Sequence, residues 1–158
     1  MSGRLARRWR WVAALLLSIG LLPWVLAMAG ASAEVWAPAF ALLCHQLPER
    51  SLSLHGHPML VCSRCAGIYA GLAAGALLPL PRRWLRHGRA LVIGAIALNV
   101  GQWASQLVLP NWHAPRLVCG LAFGWTATAF FIANLRAKTA RQRRELSGAW
   151  GDAVNHAG

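Results

Sequence analysis

The chain has 158 residues, of which 57% are hydrophobic and only 13% charged, with 16 Lys and Arg against four Asp and Glu and a formal net charge of +12. Ordinary soluble domains carry about a quarter charged residues, so this balance excludes a typical water-soluble fold and points to a bilayer. Four carboxylates leave little for acid/base catalysis by an Asp or Glu pair, and no hydrolase triad, Walker-type phosphate loop or haem-attachment motif is present.

Residues 11–30 form the first apolar window, with Pro23 expected to kink a membrane helix by removing one backbone donor. Ala31-Ser32-Ala33 before Glu34 resembles a signal-peptidase site. The apolar stretch exceeds the usual signal core of about 7 to 15 residues, so an uncleaved helix is expected. Residues 31–61 then read as an extracytoplasmic loop that opens with an interfacial segment bearing Trp36 and Pro38. Within it, residues 51–54 alternate polar and apolar, and His55-Gly56 supplies a two-residue turn. This predicts a short β-hairpin pairing 54 with 57, and the continued register would bring 46 opposite 65.

The second window, 65–80, is marginal against a short limit of about 17 residues for crossing the hydrocarbon, and is expected to borrow Leu60 and Val61 or to tolerate local thinning. It carries Gly67, Gly71 and Gly75 at intervals of four. The third window, 90–109, carries Asn99, Gln102 and Gln106 on one helical face, either as interhelical hydrogen-bonding groups or as the wall of a polar cavity. In the fourth, 117–135, Gly120 and Gly124 again lie four apart, and the two glycine faces are expected to meet and bring Arg116 and Cys119 near Cys65. The predicted fold class is all-α: one polytopic domain over 1–146 with four transmembrane helices at about 11–30, 62–80, 90–109 and 117–135. Residues 147–158, polar and glycine-rich, are expected to form a disordered cytoplasmic tail.

The charge pattern orients this plan. Arg4, Arg7, Arg8 and Arg10 precede the first span, Arg82, Arg83, Arg86 and Arg89 separate the second from the third, and Arg136, Lys138, Arg141, Arg143 and Arg144 follow the fourth. These 13 of the 16 basic residues share one side, which the positive-inside rule makes cytoplasmic. Both termini are therefore expected in the cytoplasm of a bacterial or archaeal cell, with the protein multi-pass in its cytoplasmic membrane. Anionic lipid headgroups are the expected partner of the basic residues, and nucleic acid is not. Protein partners and any enzyme class stay open.

Chemistry concentrates in the loop from Cys44 to Cys65. Cys62-x-x-Cys65 is a chelating pair, and Cys44 with His45 would complete a Cys3His set for zinc, copper or iron, with His57 and Cys119 as secondary ligands. The same thiols suit redox exchange. Cys65, beside Arg64 at a helix N-terminus, is expected to have a depressed pKa, with Cys62 and Cys44 as exchange partners. Asn99, Gln102, Gln106, Arg50 and Arg64 are the candidates to hold a cofactor such as a quinone headgroup. A third reading is a scaffold or small transporter whose loop is pinned by a structural disulfide, although three loop cysteines leave one unpaired.

Cys44-His45-Gln46, Pro48-Glu49-Arg50-Ser51 and Cys62-Ser63-Arg64-Cys65-Ala66-Gly67-Ile68-Tyr69-Ala70-Gly71 resemble the pattern of an uncharacterised family of small prokaryotic membrane proteins, a domain of unknown function. A weaker continuation is Arg116 followed by Gly120 and Gly124, so the resemblance covers about residues 42–124. The third span departs from the family at Asn99, where relatives carry an acidic residue, so the resemblance carries no proton-handling role to this position. It implies architecture and a motif, and does not choose between metal and redox.

Overall fold

The computed structural model describes residues 2–54, 56–78, 80–81, 84, 86–106 and 112–156. Helix α1 runs Ser2–Met28 and ends in a Schellman turn. Gly30, at φ 64°, takes the left-handed position, and the amides of Gly30 and Ala31 donate to the carbonyls of Ala27 and Leu26. Pro23 lies inside this helix and is fully buried. A short helix α2, Ala33–Ala41, leads to Cys44, and a single 3-10 turn, Pro48–Arg50, leads into the hairpin of β1, Ser51–Leu54, and β2, His57–Cys62. Three further helices follow: α3, Ser63–Leu77, α4, Gly88–Ser105, and α5, His113–His156.

The predicted hairpin exists, and Leu54 pairs with His57 across Gly56 at φ 83°. Its register does not continue as expected. Ser53 pairs with Pro58 but Ser51 pairs with Cys62, so an irregularity between Ser51 and Ser53 gives β2 two extra residues and 46 does not come opposite 65. Pro58, which has no amide to donate to the ladder, stands immediately before the break. Those extra residues turn Met59, Leu60 and Val61 into a cluster with Ala27, Phe40, Cys44, Ala66 and Tyr69, where Phe40 and Tyr69 meet edge to face at 5.9 Å. A satellite core thus fixes the loop onto the C-terminal end of α1 and the N-terminal end of α3.

The helices pack through glycines. A Cβ on Gly67 would strike the Leu117 carbonyl, and one on Gly71 would lie 2.7 Å from the Trp125 nitrogen and 2.8 Å from the Gly124 Cα. Gly20 brings α1 equally close to Tyr69 and Ala73 of α3. Numbers rise together along α3 and α5, whereas α1 and α4 run opposite, since Trp24 donates to the Ala66 carbonyl and Asn99 to the Cys119 carbonyl. The C-terminal ends of α1 and α4 and the N-terminal ends of α3 and α5 therefore gather under the hairpin.

By length and composition, residues 9–28 and 113–142 are each apolar enough to cross a membrane. The other two helices are weaker candidates: α3 has only 15 residues, and α4, with 18, carries Asn99 and Gln102. At its far end α5 departs from expectation. It stays helical through His156, so residues 147–156 are not an irregular tail here, and 157–158 lie outside the described residues. Strong helix formers precede them, Arg141 and Glu145 pair at 3.0 Å across one turn, and isolated glycines such as Gly148 cost a helix only about 1 kcal/mol each.

Candidate functional site

Cys44 leaves α2 buried, at 5% exposure, and the chain then reverses through Gln46 at φ 52°, a left-handed conformation uncommon outside glycine. The Gln46 amide donates to the Ala37 carbonyl at 2.7 Å and holds the reversal against α2. Cys62 ends β2 and is at once the N-cap of α3, which places Cys65 in the first helical turn. The Sγ atoms of Cys44, Cys62 and Cys65 all lie within 4.8 Å of one another. The Cys62 amide donates to Cys44 Sγ at 3.2 Å, and the Cys65 thiol points at the Leu43 carbonyl, 3.8 Å away.

Among the three, Cys62 holds the negative charge. The neighbouring thiols of Cys44 and Cys65, and behind them the N–H groups of Cys65 and Arg64 at the helix start, hold its pKa far below the ordinary thiol range, more than offsetting its partial burial. The thiolate falls on the cap residue Cys62 and not on Cys65, whose own pKa is raised by the Cys44 and Cys62 side chains, so the neighbouring thiols outweigh the helix start. A lowered pKa means that the thiolate persists as pH falls. In metal-free protein, Cys62 should alkylate at nearly the same rate at pH 8 and pH 6, whereas an ordinary thiol of pKa about 8.5 slows by roughly two orders of magnitude. Mass-spectrometric mapping of carbamidomethylation checks this, and a steep fall at Cys62 would refute it.

The cluster opens on a cleft of about 480 Å³ that Arg50, Arg64, His45, Gln106 and Arg116 also line. Two of these arginines are held by the α4 polar face. Arg64 Nη2 donates to Gln102 Oε1 at 2.6 Å, Arg116 Nη2 donates to Gln106 Oε1 at 2.6 Å, and Gln106 Nε2 ties the two amides together at 2.8 Å. Asn99 instead bridges α4 to α5, donating to the Cys119 carbonyl at 2.8 Å. The polar stripe serves both of its expected uses, helix pairing at Asn99 and a cavity wall at Gln106.

Three predicted ligands do not join the thiols. His45 is exposed on the cleft and outside the convergent group, because side chains of adjacent residues diverge. His57 sits at the turn end of β2, near Gly30, and five residues of strand put it roughly 16 Å from Cys62. Cys119 is buried on α5, where its carbonyl, not its thiol, has a partner. All four cysteines are free thiols in this structure. Sequence reasoning passed over Gln46 as a positioning residue; its place within the Cys-His-Gln motif was the available signal.

A protein-family profile described as predicted membrane protein (DUF2085) matches residues 44–130, from the first cysteine of the cluster well into α5. The chain belongs to this family. The matched region contains the whole thiol cluster, the three cleft arginines and the glycine-packed parts of α3 and α5. Among its relatives, an uncharacterized protein of Methanocaldococcus jannaschii, MJ1492, is 28% identical over 134 residues, 73% of this chain and 82% of that one. An uncharacterized protein of Methanothermobacter thermautotrophicus is 56% identical over 32 residues, 20% of this chain and 29% of its own length. No solved structure matches.

Proposed function

We propose that this membrane protein binds a zinc, copper or iron ion through Cys44, Cys62 and Cys65, on the extracytoplasmic face of a four-span bundle whose termini are cytoplasmic. The convergence of the three Sγ atoms within 4.8 Å carries the reading. A tetrahedral thiolate site with metal–sulfur bonds of about 2.3 Å needs sulfurs roughly 3.8 Å apart, so only a small contraction separates the free thiols from a ligand set. Soft thiolates select such metals over magnesium or calcium. All three cysteines face the cleft, which leaves a fourth position for an exogenous ligand, as in reactive rather than purely structural sites. The orientation rests on the 13 basic residues that share the other side.

Protein purified without added metal should contain close to one zinc, copper or iron per chain by elemental analysis. In intact cells, the cluster should react with a membrane-impermeant maleimide once the metal is chelated. A metal-free preparation with all thiols reduced would overturn the site, and labelling only after lysis would overturn the orientation.

Cys62 favours a second reading, thiol–disulfide exchange, because its thiolate lies beside two further thiols. Closing a disulfide between the Cys62 thiolate and one neighbouring thiol releases two electrons and one proton to an acceptor of the quinone class, which takes its second proton from solvent. That reading predicts a quinone-dependent loss of two titratable thiols, which the metal site does not.

A further inference from the structure

Three basic residues, Arg50, Arg64 and Arg116, stand apart in the sequence from the other 13, and the fold gathers all three on one cleft. They arrive from separate elements: the 3-10 turn, the first turn of α3 and the first turn of α5. Bringing like charges together near a low-dielectric region is unfavourable unless a counter-charge is supplied. The Gln102 and Gln106 amides orient Arg64 and Arg116 without adding negative charge. Fixed guanidinium forks of this kind match the oxygens of a phosphate group.

The cleft does not end at the arginines. Arg64, Ile68 and Trp103 also line a second cavity of about 330 Å³ between α3, α4 and α5, completed mainly by Ile96, Val100 and Phe123. Ile96, Val100 and Trp103 are exposed along the open side of α4, so this apolar groove faces the surroundings of the helix bundle. Asn99 Oδ1, buried in its wall, has no hydrogen-bond partner and offers an acceptor to a ligand hydroxyl or amide.

We propose that cleft and groove together bind one phosphate-bearing lipid of the outer leaflet, with the phosphate among Arg50, Arg64 and Arg116 and a hydrocarbon chain along Ile68, Val100 and Trp103. The leaflet rests on the orientation proposed above, whereas the arginine cleft is common to the metal and thiol readings of the cysteines. Native mass spectrometry of the full chain in neutral detergent, titrated with phosphatidylglycerol or with phosphatidylcholine of the same chains, tests it. One phosphatidylglycerol should bind at least about tenfold tighter than phosphatidylcholine, and Arg64→Gln and the exposed Arg50→Gln should each weaken it about tenfold. The pair Arg141→Gln and Arg144→Gln, at the other end of the bundle, should leave that first binding event unchanged. Val100→Trp should weaken the lipid by filling the groove. Equal binding of both lipids, or loss on changing only Arg141 and Arg144, would overturn the proposal. Competition by chain-free glycerol phosphate at the same concentration as the lipid would reassign the cleft to free phosphates and overturn the lipid.

Discussion

Cys62→Ser should reduce bound metal from about one ion per chain to less than about a tenth, the largest functional effect expected of any single change. Cys62 is one of three converging thiols, it carries the negative charge, and its amide donates to Cys44 Sγ at 3.2 Å. Two remaining sulfurs form too weak a ligand set to hold an ion through purification. Cys44→Ser should act in the same way. Cys119→Ser, whose sulfur lies outside the convergent group, should keep the full metal content, and His45→Ala should keep most of it. Elemental analysis of the four variants at equal protein recovery checks the pattern. Loss of metal with Cys119→Ser, or retention with Cys62→Ser, would show that another set of residues binds.

Gly71→Leu should prevent the bundle from assembling, with a destabilisation of about 3 kcal/mol or more. A Cβ at Gly71 would come 2.5 Å from the Leu121 carbonyl oxygen and 2.8 Å from the Gly124 Cα, and both obstacles are backbone that cannot swing aside. Helix association in lipid lacks a hydrophobic drive and depends on such close approach. Because α3 carries Cys65 and Arg64 and α5 carries Arg116, separating them would also dismantle the cleft beside the thiols. Gly94 and Gly101 of α4 are the controls, since nothing lies within 4 Å of a Cβ at either. Gly94→Ala should leave stability unchanged or raise it by up to about 1 kcal/mol, the helix-propensity gain of alanine over glycine. Size-exclusion profiles and thermal midpoints in one detergent compare the two, and a monodisperse Gly71→Leu protein of unchanged midpoint would refute the glycine-packing account.

Much of this arrangement follows from sequence alone. Hydropathy and the i, i+4 glycines each depend on local spacing, and local spacing decides helix length and which face is smooth, while the grouping of 13 basic residues carries the proposed orientation. The alternation before His55-Gly56 likewise announces a hairpin. Identity of the thiols was legible too, because cysteines at a two-residue spacing beside a helix start are chemically recognisable.

Tertiary structure decided the rest. The break at Ser51 and Ser53 depends on how Met59, Leu60 and Val61 bury against α1 and α3, a long-range energy that no local window contains. That packing excludes His57 from the thiol group and makes Cys62 both a strand end and a helix cap, so the thiolate falls there. Arg50, Arg64 and Arg116 are separated by 14 and 52 residues in the chain, and only the folded bundle makes them neighbours. Composition and periodicity thus determined where this protein resides and which atoms it offers. Which of those atoms meet was decided by close helix packing, because coordination and charge clustering depend on distances of a few ångströms between residues far apart in sequence.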